Sequence, residues 1–149
     1  MRMVVTIKPT AEIQCYQLIR PGGAAQCFHT SNVMRRMVKY MPMQTGALIK
    51  LMQVQTVLTT GQIVVQAPQA KYLYYGKAMV NAKTGKGPGY IPNIGYRYRK
   101  GTKLRATTRA LKYTTTKHPL AGPFWDRRMW AAEGEAAKAE LEAYINGGK

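Results

Sequence analysis

The sequence is poor in the side chains that catalysis and covalent cross-linking require. Its 149 residues include six acidic residues, two histidines, one serine and two cysteines. Cys15 and Cys27 are too few for a disulfide framework and show no CxxC spacing, so we interpret both as buried small side chains in a reducing cytoplasm. No apolar run approaches the length of a membrane span, and Pro9 breaks the N-terminal apolar stretch too early for a signal peptide.

The scarcity of acids, bases and nucleophiles also argues against an active site. His29 and His118 are the histidines, and Ser31 and Asp126 are the single serine and the single aspartate. No nucleophile-elbow glycines surround Ser31, and we expect His118 to hydrogen-bond its backbone in a turn. Residues 83–87 are rich in lysine and glycine but lack the order of a phosphate-binding loop. The sequence therefore predicts no enzyme, no cofactor and no metal site.

Positive charge is what the chain has in excess. It contains 23 lysines and arginines, which give a net charge of +17. Such an excess favours polyanionic neighbours: nucleic acid, an acidic membrane surface or an acidic protein surface. A hydrophobic content of 46% is ordinary and argues against disorder across the whole chain, and the length suits one domain spanning residues 1–149.

Hydrophobic periodicity predicts an α+β fold in which a small antiparallel sheet packs against helices. Strands are expected at residues 2–7, 48–58, 62–67 and 110–116, and the middle two would form a hairpin. Helices are expected at residues 10–19, 24–40 and 123–146, with a single helical turn at 69–76. The apolar stripe of the second helix favours core packing over partner binding, and its residues are Cys27, Met34, Val38 and Met41.

The last helix carries two kinds of side chain. We expect its apolar face to consist of Trp130, Ala137, Leu141 and Tyr144. Four of the six carboxylates of the chain lie elsewhere on the same helix: Glu133, Glu135, Glu140 and Glu142. These glutamates indicate solvation or salt bridges between subunits rather than a metal site.

The composition changes after Gly76. Residues 77–109 contain nine basic residues and no acid, interleaved with glycines, prolines and tyrosines. We interpret this segment as a long basic loop or arm, too poor in aliphatic residues to bury a core of its own. Such a segment suits sequence-independent contact with phosphates. The candidate contacts with DNA or with a neighbouring subunit are Lys83, Lys86, Arg97, Arg99, Lys100, Lys103, Arg105 and Arg109.

Three short motifs follow one another along the chain. Residues 40–48 read Tyr-Met-Pro-Met-Gln-Thr-Gly-Ala-Leu, residues 68–76 read Pro-Gln-Ala-Lys-Tyr-Leu-Tyr-Tyr-Gly, and residues 124–129 read Phe-Trp-Asp-Arg-Arg-Met. Proline ends a helix, and glycine permits a turn that other residues resist. The motif residues of interest are Tyr40, Pro42, Thr45, Gly46, Leu48, Pro68, Tyr74, Tyr75, Gly76 and Trp125.

The ordered set resembles the signature of minor capsid proteins from the head–tail joining region of tailed bacteriophages. The resemblance covers about residues 33–146; Gln44 stands where that family has an acid, and Gln69 where it has a tyrosine. It implies a small α+β protomer that forms a homo-oligomeric ring, six-fold or twelve-fold, in the neck of the virion. Its neighbours would be the connector or stopper and the tail terminator, and the ring would surround the DNA channel. Before assembly the protein would reside in the host cytoplasm.

Three questions stay open at the level of the sequence. A basic nucleic-acid-binding protein of ribosomal or nucleoid type would explain the charge and the interleaved tyrosines, but not the ordered motifs. The arm fits either the wall of a DNA channel or a clasp between subunits, and we favour the channel. The tyrosines of the second motif fit either core packing or contact with a neighbour, and we favour the core; they are Tyr72, Tyr74 and Tyr75.

Overall fold

The computed structural model describes residues 18–147 and confirms the α+β fold class. Its helices are α1 (Ala24–Met37), α2 (Ala47–Gln55), α3 (Ala70–Tyr75) and α4 (Trp125–Ile145). Its strands are β1 (Lys77–Asn81), β2 (Gly89–Ile91), β3 (Gly95–Arg97) and β4 (Leu104–Ala110). Short 3-10 turns occupy Val38–Tyr40 and Leu58–Thr60. The strand predicted at 2–7 lies outside the described residues, as does the helix predicted at 10–19 except for its helical end at Leu18 and Ile19.

The first motif connects α1 to α2. The helical chain ends at Tyr40, and Met41 adopts an extended conformation immediately before Pro42, as expected for a residue that precedes proline. Gly46 then takes a left-handed conformation, with φ of +77°, directly before α2 begins. The sequence therefore located this turn correctly, but the turn leads into a second helix and not into a hairpin.

The strand predicted at 48–58, and with it the hairpin to 62–67, is wrong. Residues 47–55 form α2, in which Leu48, Ile49 and Met52 are buried at helical spacing. Val54, which shares the alternating parity of Leu48 and Met52, is 82% exposed. Over these few residues the apolar side chains fit both the alternation of a strand and the repeat of a helix, and packing in the core stabilises the helix.

Residues 62–67 have no strand partner within residues 18–147. Side chains at the end of α2 satisfy one edge of this segment instead. The Thr56 hydroxyl accepts from the Val64 amide at 3.1 Å, and the Gln55 amide group bonds both the N–H and the C=O of Gln66, at 2.6 and 3.0 Å. The opposite edge carries the main-chain groups of Ile63 and Val65, which make no hydrogen bond with any described residue.

The arm at 77–109 is one extended double hairpin. The chain leaves along β1 and β2, turns, and returns along β3 and β4, so that β1–β4 and β2–β3 form two nested antiparallel ladders. The strand predicted at 110–116 is displaced toward the N-terminus, because β4 ends at Ala110 and residues 111–116 form no strand. The prediction of a long loop or arm is therefore correct for the arm, but it does not include the strands, because the alternating apolar pattern of this segment is too weak to identify them.

The core lies between α1, α2, α3 and the start of α4. Its buried members are Met37, Tyr40, Met41, Leu48, Ile49, Met52, Ala70, Trp125 and Met129. Three of the nine methionines of the chain, Met41, Met52 and Met129, are its largest fully buried side chains. Of the predicted apolar stripe, Met41 is fully buried in this core and Met34 and Val38 pack half-buried against it, whereas Cys27 is half-buried and is not a member. Methionine suits a core shared by short helices because its unbranched side chain fills irregular gaps.

The apolar face of α4 differs from the prediction at one residue. Trp125, Met129 and Ala137 are buried, whereas Trp130 is 43% exposed. Trp130 lies one residue off the i, i+4 series, so it points about 100° away from the buried face. Among the described residues, no helix is both long and apolar enough to span a membrane.

Candidate functional site: the motif junction and the basic arm

The three sequence motifs meet at one junction in the structure. The Gly122 amide donates to the carbonyl of Tyr40 at 3.2 Å, and the Phe124 amide donates to the carbonyl of Tyr74 at 2.9 Å. The segment that leads into α4 is therefore held at both earlier motifs. His118, in the same segment, contacts the carbonyl of Met41 through Nδ1 at 2.9 Å. The predicted hydrogen bond of His118 to backbone thus exists, but it reaches a distant segment and not its own turn.

Tyr74 is the centre of the junction. Its ring packs edge-on against Trp125 at 5.0 Å and against Phe124 at 5.2 Å, and its hydroxyl donates to Asp126 Oδ1 at 2.7 Å. Burial raises the pKa of Tyr74, and the hydrogen bond to Asp126 raises it further. Tyr75, next to it, is 51% exposed. The core role predicted for these tyrosines is therefore confirmed for Tyr74, while Tyr75 faces solvent.

Gly76 allows the arm to leave this junction. It takes a left-handed conformation with φ of +66°, and its carbonyl accepts from the Leu111 amide at 2.8 Å. A Cβ atom at this position would lie 3.1 Å from both Pro123 and the Tyr113 hydroxyl. A side chain at this position would be strained, because the left-handed backbone disfavours it and its Cβ would crowd both neighbours.

The other motif residues have structural surroundings. Pro68 is exposed just before α3, and the Thr45 hydroxyl accepts from the Ala47 amide at 3.4 Å, close to the start of α2. Gln44 is exposed, and its carbonyl accepts from Lys117 Nζ at 3.1 Å. A surface groove of about 280 Å³ lies between the first motif and residues 111–114.

Ion pairs tie α4 to α1 close to the junction. Arg36 Nη1 donates to Glu133 at 2.6 Å, and Arg36 Nη2 donates to Glu140 at 2.5 Å. Lys39 and the Tyr40 hydroxyl also donate to Glu133, each at 3.1 Å. The prediction that the α4 glutamates face solvent or a neighbouring subunit is therefore wrong for Glu133 and Glu140, which are used within the chain.

The Glu133 carboxylate is an acceptor for three donors in a mostly dry site. Burial raises its pKa, but the hydrogen bonds from Lys39, Arg36 and Tyr40 outweigh burial and hold the pKa below its ordinary value. The same contacts act on the partners: hydrogen bonding to Glu133 raises the pKa of Arg36, and burial followed by that bond raises the pKa of Tyr40. The sequence analysis missed this cluster, since pairs separated by about a hundred residues leave no local pattern.

The basic arm exposes all of its predicted contact residues. No salt bridge among residues 18–147 involves residues 77–109, because the described carboxylates all lie on α4. The exposed cations are Lys83, Lys86, Arg97, Arg99, Lys100, Lys103, Arg105 and Arg109. The structure brings some of them together in a single cleft and leaves others spread along the ladders.

Two fixed turns form this cationic cleft, which is lined by Asn81, Lys83, Lys100, Thr102 and Lys103 and has a volume of about 380 Å³. In the first turn, the Asn81 side chain accepts from the amides of residues 83 and 84. In the second, the amide of residue 102 donates to the carbonyl of residue 99 at 3.1 Å. The Ala82 amide donates to the Lys103 carbonyl at 2.9 Å and joins the two turns. The lysines therefore project from a defined backbone and not from a loose loop.

The far end of the arm is apolar. Tyr90 and Tyr96 are directly paired across β2 and β3, with ring centroids 5.3 Å apart, and are 66% and 73% exposed. Ile91 and Ile94 at the turn are 38% and 56% exposed. We call these four side chains the arm tip. Nearer the body, the Tyr98 hydroxyl joins the two halves of the arm by donating to the Met79 carbonyl at 2.7 Å.

The candidate catalytic residues do not assemble. No hydrogen bond within residues 18–147 links His29, Ser31, His118 or Asp126 to one another, and Ser31 is exposed on α1. His29 lies edge-on to Trp130, with ring centroids 6.3 Å apart. No group of three or more His, Cys, Asp or Glu side chains in the described part of the chain could hold a metal ion. The absence of catalysis stays a prediction.

Comparison of the chain with protein families, with curated proteins and with solved structures found no match.

Proposed function

We propose that this protein is a structural component of a tailed-phage virion: a homo-oligomeric ring, six-fold or twelve-fold, in the head–tail connector. It would join the capsid-side connector or stopper to the tail terminator and surround the DNA channel. The observation that carries this proposal is the convergence of the three phage-like motifs on one junction, where Tyr40, Tyr74 and Trp125 have packing roles. Motif residues that pack the core and hold segments of the fold together suit an assembly protein better than an enzyme.

The distribution of charge supports a ring around DNA. The carboxylates that the structure describes lie on α4, and two of them are paired with α1, whereas the arm is purely cationic and exposed. Cations without local acidic partners offset phosphate repulsion without reading sequence. We therefore place the cationic cleft and its neighbouring arginines toward the DNA channel.

Electron cryo-microscopy of the particle that contains this protein tests the proposal. We expect a closed ring of copies between the head and the tail. Deletion of its gene should yield filled heads and separate tails, because the joint would be missing. A lone monomer or a two-fold dimer in the virion, or normal infectious particles without the protein, would refute the proposal.

A second candidate function is non-specific nucleic-acid binding outside a virion, favoured by the exposed cationic cleft. The gene neighbourhood separates the two functions, since portal, major capsid and tail genes beside this one would favour the neck. Normal particle assembly after deletion, combined with loss of salt-sensitive nucleic-acid binding in cell extracts, would favour the second function.

A further inference from the structure

The arm tip is apolar where a DNA-facing surface would be polar. A protruding hairpin gains nothing in its own chain from exposing Tyr90, Ile91, Ile94 and Tyr96, and contiguous exposed apolar side chains indicate a binding surface. A two-stranded hairpin is also marginally stable by itself. Paired bases in duplex DNA offer no free faces for tyrosines to stack on, so an apolar protein surface suits the tip better than duplex DNA does.

The body of the protein contains a groove of matching character. It has a volume of about 590 Å³ and is lined by Met37, Ile63, Val65, Tyr74 and Trp125 among others. The open edge of residues 62–67, formed by the main-chain groups of Ile63 and Val65, borders it. A groove beside main-chain groups that make no hydrogen bond with any described residue is suited to accept an added strand together with its side chains.

The charges at the two surfaces are complementary. Asp126 lies at the rim of the groove and has no ion pair with any described residue, although Lys71 also lines the rim. The hairpin brings Arg97 and Arg99 and no acid. The tip cannot be seated in the groove of its own chain, because its side chains are exposed.

We propose that the arm tip of one copy docks into this groove on the next copy, with a hairpin strand adding to the open edge of residues 62–67 and Arg97 approaching Asp126. The contact is heterologous, since tip and groove are different surfaces, and repetition of it closes a ring when the rotation fits. This inference rests on the proposed ring and adds the surfaces that join its subunits. It divides the arm into a clasp at its end and a phosphate-facing cleft nearer the body.

Photo-crosslinking of the full chain tests the clasp. A chain with p-benzoylphenylalanine in place of Ile94 is mixed with a ¹⁵N-labelled chain, irradiated, digested and analysed by mass spectrometry. We expect crosslinks between labelled and unlabelled chains that map to residues 61–71 or 125–126. A crosslinker in place of Val54, which is 82% exposed on α2, is the matched control and should not label the groove.

Groove variants of the labelled chain test the specificity. Val65→Lys should lower the crosslink yield about tenfold or more, because it places a charge where an apolar side chain would be buried. Val54→Lys should leave the yield unchanged. If Val65→Lys fails to fold by circular dichroism, Asp126→Arg at the exposed rim replaces it, and we expect a lower yield there too.

Several outcomes would overturn the clasp. These are crosslinks within one chain, crosslinks to residues 1–17 or to another surface, equal yields for the groove and control variants, or no linkage at high protein concentration. The ring has its own test in the virion. A ring observed there without the tip–groove crosslink would remove the clasp alone, whereas the crosslink without a ring would remove the neck function.

Discussion

Replacing Glu133 with glutamine tests whether the ion pairs between α1 and α4 hold the fold together. The side chains of Arg36 and Glu133 are only 12% and 18% exposed. Removing one partner of a buried pair costs about 3–5 kcal/mol, and a hydrogen bond to a charged group contributes about 1.5–3 kcal/mol. Glutamine keeps the shape, and Arg36 keeps Glu140, so we expect a loss below that of a fully broken buried pair and closer to that of a charged hydrogen bond, about 2–3 kcal/mol.

Thermal and urea unfolding of the full chain measure the effect. For a domain of this size, a loss of 2–3 kcal/mol lowers the midpoint temperature by roughly 5–10 °C. Glu135→Gln is the matched control on the same helix. The Glu135 side chain is 91% exposed and pairs only with Lys138 among the described residues, so its replacement should change the unfolding free energy by less than about 0.5 kcal/mol.

The pH dependence gives a second check with a definite sign. The pKa of Glu133 is lowered in the folded protein, so its stabilisation is present above the unfolded pKa of about 4.3 and disappears as the pH falls through the folded value. The difference between the wild type and Glu133→Gln should therefore be constant near neutral pH and shrink below about pH 4. Equal stability of the Glu133 and Glu135 variants, or a difference that persists at low pH, would refute the reasoning.

Two further predictions concern the exit of the arm and its charge. Gly76→Ala should lower the unfolding free energy by at least about 1–2 kcal/mol in urea titrations, because its φ is positive and its Cβ would crowd Pro123, whereas Gly87→Ala, with no atom within 4 Å of its Cβ, should cost less. Equal costs would contradict this account. Replacing the three lysines of the cationic cleft with glutamine should reduce the slope of log binding constant against log salt for duplex DNA by about one per lost phosphate contact. The control replaces three other exposed lysines, Lys50, Lys112 and Lys138. An equal loss of slope in the control would mean that total charge alone matters.

The turn-forming prolines and glycines and the helix α1 could be predicted from the sequence, because each is determined by residues close to it in the chain. Pro42, Gly46 and Gly76 act through their own backbone geometry, which the chain carries wherever it folds. The helical conformation of the α2 segment could not be predicted, because its short apolar run fits both a helix and a strand. Only packing against α1 and α3 distinguishes them, and that information lies outside the window.

The candidate site was predictable in composition but not in arrangement. The excess of cations at 77–109 is visible in the sequence, yet the pairing of β1 with β4 joins residues from 23 positions apart, at Asn81 and Leu104, to 33 positions apart, at Lys77 and Ala110. The same limit applies to Arg36 and Glu133, which are 97 residues apart. Their contact follows from how α4 packs on α1, so no spacing rule along the chain could reveal it.

The segregation of charge explains why the arm extends. Every carboxylate that the structure describes lies on α4, and the cluster around Glu133 joins that helix to α1 on the body. The arm therefore has no described acid to fold back on, and its own cations repel one another. The ladder nearer the body persists because Ala78 and Val80 are buried and the Tyr98 and Thr107 hydroxyls bond main-chain carbonyls of β1. The β2–β3 ladder has no buried side chain, and a two-stranded hairpin is only marginally stable by itself, so the proposed docking of the tip would also stabilise the end of the arm.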